Sequence, residues 1–183
     1  MQSARLLFVG FFLFPVALSS FSFAGPTADP VKSSVWIETV RPDGVVFRGK
    51  VLPKNVVGMG VVLPSGEVAT AAHVVVGAKE IIVKNARGFT ASAKIVVIKE
   101  SIDTAIISVA GAFDDFAVIR QRALFLGERI SVLEQRKSDT ETPMALFGKI
   151  DSIHWTVNGL HAMPAFTSIK GEQGMSGGGV FDG

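Results

Sequence analysis

The chain has 183 residues and no cysteine, which excludes disulfides, cysteine-based metal sites and thiol catalysis. Its 18 basic and 16 acidic side chains leave a net charge of +2, with no block of like charge, so the composition points away from nucleic acid or an anionic membrane surface as a partner. Apolar residues make up 48% of the chain, enough for a packed core without covalent staples.

Residues 1–24 read as an export leader. Arg5 supplies an early positive charge, Leu6 to Leu18 is an apolar run broken by Gly10 and Pro15, and Ser22-Phe23-Ala24 puts small residues where a signal peptidase reads. Cleavage after Ala24 predicts a periplasmic or secreted protein. The rival reading is an uncleaved anchor, against which the apolar run is shorter than the roughly 20 residues of a comfortable span. Export without disulfides suits a bacterial envelope protein.

Residues 25–34 are polar, hold two prolines and read as a flexible mature N-terminus. From Val35 the pattern is β. Strands are predicted over Val35–Thr39, Val45–Val51, Val56–Leu63, Glu67–Ala72, Glu80–Lys84, Ala91–Ile98 and Thr104–Val109, all rich in valine and isoleucine and bounded by turn residues. Pro64-Ser65-Gly66 is a turn between two of them. Gly111 to Leu126 is less regular and reads as a link. A second β set covers Arg129–Glu134, Met144–Ile153, His154–Val157 and Ala162–Ile169, with a polar loop at 136–142 and a bulge allowed at Gly148. The expectation is an all-β protein of two successive antiparallel units, residues 35–120 and 121–183.

Three positions in this frame carry possible chemistry. His73 ends the apolar stretch Val68-Ala69-Thr70-Ala71-Ala72 and has the side chain best suited to a general base near neutral pH. Asp103 heads the strand Thr104–Val109 and would orient the histidine. Ser176 lies in the turn Gly174-Met175-Ser176-Gly177-Gly178-Gly179, where glycines expose the hydroxyl and aim backbone N–H groups beside it. Each has a plain structural alternative: a satisfied core histidine, a strand-entry aspartate, a glycine-rich turn. Asp114 and Asp115 are rivals to Asp103 but lack a following apolar strand. His154 and His161 read as structural.

Taken together, Gly58-Met59-Gly60-Val61-Val62-Leu63, Thr70-Ala71-Ala72-His73-Val74, Asp103-Thr104-Ala105-Ile106-Ile107 and Gly174-Met175-Ser176-Gly177-Gly178 resemble the trypsin-like serine peptidases, in the style of the Deg/HtrA-like group. The order His, Asp, Ser is that of the chymotrypsin-type triad. The resemblance implies two β-barrels, a serine endopeptidase acting on polypeptide through an acyl-enzyme, catalytic His73, Asp103 and Ser176, and an oxyanion hole from the N–H groups of Gly174 and Ser176.

It implies further points about the turn and its surroundings. The family usually has proline or alanine where this chain has Gly179. Met175 stands where digestive members carry an aspartate that pairs with a new N-terminus, so activation by that switch is not expected. Lys170 falls where the family sets the base of its primary pocket and would favour an acidic substrate side chain; the alternative is a solvated loop lysine. The family continues for several strands past the nucleophile, so the second barrel is expected to be incomplete and the chain as written to be a poor protease. A polypeptide-binding module with an unused triad is the alternative function. No cofactor is expected, and neither a metal-ligand spacing nor a phosphate-binding glycine motif is visible.

Overall fold

The computed structural model describes residues 4–8, 21–22, 29–119, 125–133, 144–153, 165–170 and 174–182. Strands β1 (Ala4–Phe8) and β2 (Phe21–Ser22) come first, then β3 (Ser34–Val40) and a hairpin of β4 (Val46–Phe47) and β5 (Lys50–Val51). Next are β6 (Asn55–Val62), β7 (Val68–Thr70), the short helix α1 (Ala72–Val75), β8 (Glu80–Asn85) and β9 (Thr90–Lys99). A single 3-10 turn at Glu100–Ile102 leads into β10 (Thr104–Val109). The remaining strands are β11 (Ala117–Ile119), β12 (Arg129–Leu133), β13 (Ala145–Ile153), β14 (Ala165–Thr167) and β15 (Gly179–Asp182).

The first unit is a closed antiparallel barrel in the order β10-β7-β6-β3-β8-β9. Period-2 alternation drives it. Val35 and Ile37 of β3, Ile81 and Val83 of β8, and Ala105, Ile107 and Val109 of β10 all point inward and are buried. Closure through the β9–β10 pairing removes the free edges an open sheet would expose.

The second unit is an open sheet, β11-β1-β15-β12-β13-β14, with β2 paired to β1. Its core is formed by Ile130, Val132, Ile150, Ile169, Met175 and Val180. Ala4–Phe8, which the sequence assigns to an export leader, runs parallel to β11 and antiparallel to β15. A smaller cluster of Val61, Ala69, Ala117 and Phe181 joins the two units.

Four local expectations need correction. The stretch Val45–Val51 is not one strand: Arg48 and Gly49 both have positive φ, 48° and 78°, and fold it into a tight hairpin. The link 111–126 contains a strand, β11, too short to show as a periodic run. Gly148 forms no bulge. It pairs regularly with Ile130, and a Cβ there would stand 2.5 Å from the Ile169 side chain, so the position is small for lack of room. Ala72 and His73 leave the strand and begin a helical turn, for a reason that lies in the site itself. The predicted strand His154–Val157 and His161 fall outside the described residues.

Candidate active site

His73 sits on α1 and is buried, with 6% of its surface exposed. The chain turns off β7 there because Asp103 takes the two N–H groups that would otherwise continue the sheet. The Ala72 N–H donates to the Asp103 carbonyl at 3.1 Å, and the His73 N–H donates to Asp103 Oδ1 at 2.9 Å. The second carboxylate oxygen, Oδ2, lies 2.8 Å from His73 Nδ1. An ionised carboxylate only accepts, so the Nδ1 proton must point at Asp103, and in the neutral ring the Nε2 lone pair faces away from it. That is the tautomer a general base requires.

Asp103 is itself held in the left-handed region, φ 51° and ψ 46°, at the end of the 3-10 turn. A non-glycine residue there costs roughly 1–2 kcal/mol. Three hydrogen bonds to Ala72 and His73 offset that strain and fix the carboxylate. Phe47 covers the imidazole from the side, ring centroids 6.3 Å apart. Arg48 stacks 5.3 Å over Phe47 and donates through Nε and a terminal nitrogen to the Glu100 carbonyl, tying the hairpin to the turn that carries Asp103.

The Ser176 turn docks on the first barrel through main chain and glycine. The Met59 N–H donates to the Ser176 carbonyl at 2.8 Å. Gly177 has φ 83°, and a Cβ there would meet the Met59 carbonyl and Thr70 Oγ1 at 2.4 Å and the Ala71 nitrogen at 2.7 Å. A Cβ on Gly58 would stand 2.7 Å from the Val74 side chain and 2.8 Å from the Ser176 carbonyl. The serine turn therefore abuts Thr70 and Ala71, just before His73, and Gly58, the residue of β6 that packs on Val74. Thr70 takes part by donating to the Met59 carbonyl at 2.6 Å.

The remaining predicted positions separate clearly. Gly174 is buried with φ 95°, and Met175 is buried in the apolar core of the second unit. Lys170 is exposed. Asp114 and Asp115 are ion-paired with Arg87 at the surface, remote in role from His73. Among the described residues, no group of His, Cys, Asp or Glu is arranged to hold a metal ion.

Sequence reasoning missed Arg41. Its side chain is 1% exposed, and it hydrogen-bonds the carbonyls of His73 and Val74. Burial pushes its guanidinium pKa below the usual value. The only signal in the sequence was an arginine directly after a strand, which ordinarily reads as a solvated turn residue.

A family profile described as the trypsin-like peptidase domain matches residues 58–183. Among solved structures, the chain is similar to the inactive form of the Rv3671c protease of M. tuberculosis, at 22% identity and TM-score 0.64, covering 84% of this chain and 72% of that one. It is similar to the serine endoprotease from Yersinia pestis at 20% identity and TM-score 0.60, and to the HtrA-type protease AlgW with tripeptide at 18% identity and TM-score 0.65. Each of these two matches covers 83% of this chain, which spans about half of their length, 50% and 48%. At such identities the likeness establishes the fold. No curated protein sequence matches. The family profile covers well over half of the chain, and the chain belongs to the trypsin-like peptidase family of serine-type hydrolases.

Proposed function

We propose that the protein is a serine endopeptidase in which Ser176 is the nucleophile, His73 the general base and Asp103 the orienting carboxylate. Ser176 Oγ attacks the scissile carbonyl carbon while its proton passes to His73 Nε2. The N–H groups of Gly174 and Ser176 receive the oxyanion. Collapse breaks the C–N bond, His73 returns the proton to the departing amine, and an acyl-Ser176 remains. Water, deprotonated by the same nitrogen, attacks the acyl carbon; the ester C–O bond to Ser176 breaks, His73 returns the proton to Ser176 Oγ, and the acid leaves. The observation that carries this reading is the buried His73–Asp103 pair, which uses both carboxylate oxygens on one residue. A merely structural histidine does not need its tautomer fixed in that way.

The same reading takes the protein to be exported and to act on polypeptide in the periplasm or outside the cell, from the character of residues 1–24. Lys170, an exposed cation six residues before Ser176, would favour an acidic substrate side chain.

The test is a fluorophosphonate probe applied to the protein expressed from its own reading frame. Labelling at Ser176 is expected, with loss in Ser176→Ala and strong slowing in His73→Ala. A folded parent that neither takes the probe nor cleaves an unfolded polypeptide would favour a binding module on this fold.

A further inference from the structure

We propose that Arg41 is a positioning residue for the His73 imidazole: its buried guanidinium grips the His73 and Val74 carbonyls at the end of α1 and so fixes the direction in which the ring leaves the backbone. The inference rests on His73 acting as the base.

The argument begins with the weakness of α1. Four residues form it, and its backbone closure is the bond from the Val76 N–H to the Ala72 carbonyl at 2.8 Å. A helix this short has no stability of its own. Its last carbonyls lack intrahelical partners and must be satisfied by other groups. In a buried position, each one left bare would carry its full desolvation penalty.

Arg41 supplies those partners. Nη1 and Nη2 each donate to the His73 carbonyl at 3.2 Å, and Nη2 donates to the Val74 carbonyl at 2.7 Å. Thr39 Oγ1 donates to the Val74 carbonyl at 2.9 Å and accepts from Arg41 Nη2 at 3.3 Å. The planar fork matters, because one group spans two carbonyls at fixed spacing, which a lysine ammonium does not do. Arg41 Nε is buried with no hydrogen-bond partner. Among the described residues, none of the groups that Arg41 bonds is a carboxylate. Among these residues the guanidinium is thus buried without an ion pair and with one donor unsatisfied, and both are unfavourable. What is gained in exchange is the placement of two carbonyls.

The location gives that placement its meaning. Asp103 holds His73 at two points, the main-chain N–H and Nδ1. Two anchors on one carboxylate still allow the residue to pivot about it. The Arg41 bond to the His73 carbonyl is a third anchor on the opposite side of the same residue. Small errors in the direction of a catalytic group carry large rate penalties, on the order of 100-fold for a displacement near 1 Å.

The experiment compares Arg41→Met and Arg41→Lys with Ile107→Val, a barrel-core change that lowers stability and leaves the Arg41 hydrogen bonds in place. Three readouts are taken on the full chain: thermal midpoint, kcat with KM, and the low-field proton resonance of His73 Nδ1–H. Arg41→Met is expected to lower kcat about 100-fold with KM nearly unchanged and to broaden or remove the resonance. Arg41→Lys should fall between it and the parent. Ile107→Val should keep both kcat and the resonance. Parent-level kcat and an unchanged resonance in Arg41→Met, with only the midpoint lowered, would make Arg41 a structural cap and overturn the proposal. Should Arg41→Met not fold, a parent-like Arg41→Lys would overturn it equally. The resonance separates the two readings. If Ser176→Ala kept its turnover while Arg41→Met lost the resonance, the positioning role would stand and the assigned nucleophile would fall.

Discussion

The Met59 N–H and the Ser176 carbonyl are joined by a 2.8 Å hydrogen bond that runs from the first barrel to the turn of the second unit. It anchors the proposed nucleophile by its own main chain. The serine turn therefore takes its position from β6, the strand beside β7, whose end delivers His73. Glycines at 58 and 177 make the approach possible, since a methyl group at either would strike main chain across the boundary.

Asp103→Asn tests the orienting role. An amide would keep one oxygen for the His73 N–H now held at 2.9 Å, but would turn its NH2 toward Nδ1. The imidazole would then carry its proton on Nε2, the nitrogen that must accept one. A loss of about 10⁴-fold in kcat is expected, with folding intact by circular dichroism. Activity within tenfold of the parent would remove Asp103 from the mechanism.

Gly177→Ala should destabilise by more than about 2 kcal/mol and abolish probe labelling, because a Cβ there meets the Met59 carbonyl oxygen at 2.4 Å. Gly88→Ala is the matched control. It has a similar φ, +81°, and nothing within 4 Å, so only the left-handed backbone penalty of about 1 kcal/mol applies. Urea unfolding measures both. Equal losses would mean that the turn yields and is not wedged.

Ile37→Ala should cost about 2–5 kcal/mol by the same measurement. Ile37 has no exposed surface, and its Cδ1 lies 2.9 Å from where a Cβ on Gly60 would stand. A change under 1 kcal/mol would show that the barrel interior is loosely packed there.

The mature N-terminus is expected near Gly25. Intact-mass measurement on protein recovered from the cell envelope decides this. A mass that retains Met1 to Ala24 would favour the anchored form.

The barrel was legible because its strands obey a period of two: Val35 and Ile37, Ile81 and Val83, Ala105 and Ile107 recur on the inward face. The sites where sequence reasoning failed share a cause. His73 leaves its strand because Asp103, 30 residues away, captures two N–H groups. Arg48 breaks a β-branched run by entering the left-handed region, which its residue type does not announce. Gly148 is small on account of Ile169. Arg41 is buried because two carbonyls of a distant helical turn need donors. Each is fixed by a partner remote in sequence, and local patterns carry no record of such a partner. The approach of His73 to Asp103 was foreseen from a family resemblance in residue order, and the spacing alone would have left both with ordinary structural roles.

His73 and Asp103 lie between strands β7 and β10 of the closed barrel, whereas Ser176 precedes β15 of the other sheet. A nascent chain emerging N-terminus first therefore makes both members of its imidazole–carboxylate pair long before Ser176 is added. On the proposed mechanism, the growing polypeptide would then hold a proton acceptor with no nucleophile beside it until Ser176 is in place, and the order of synthesis would delay self-digestion.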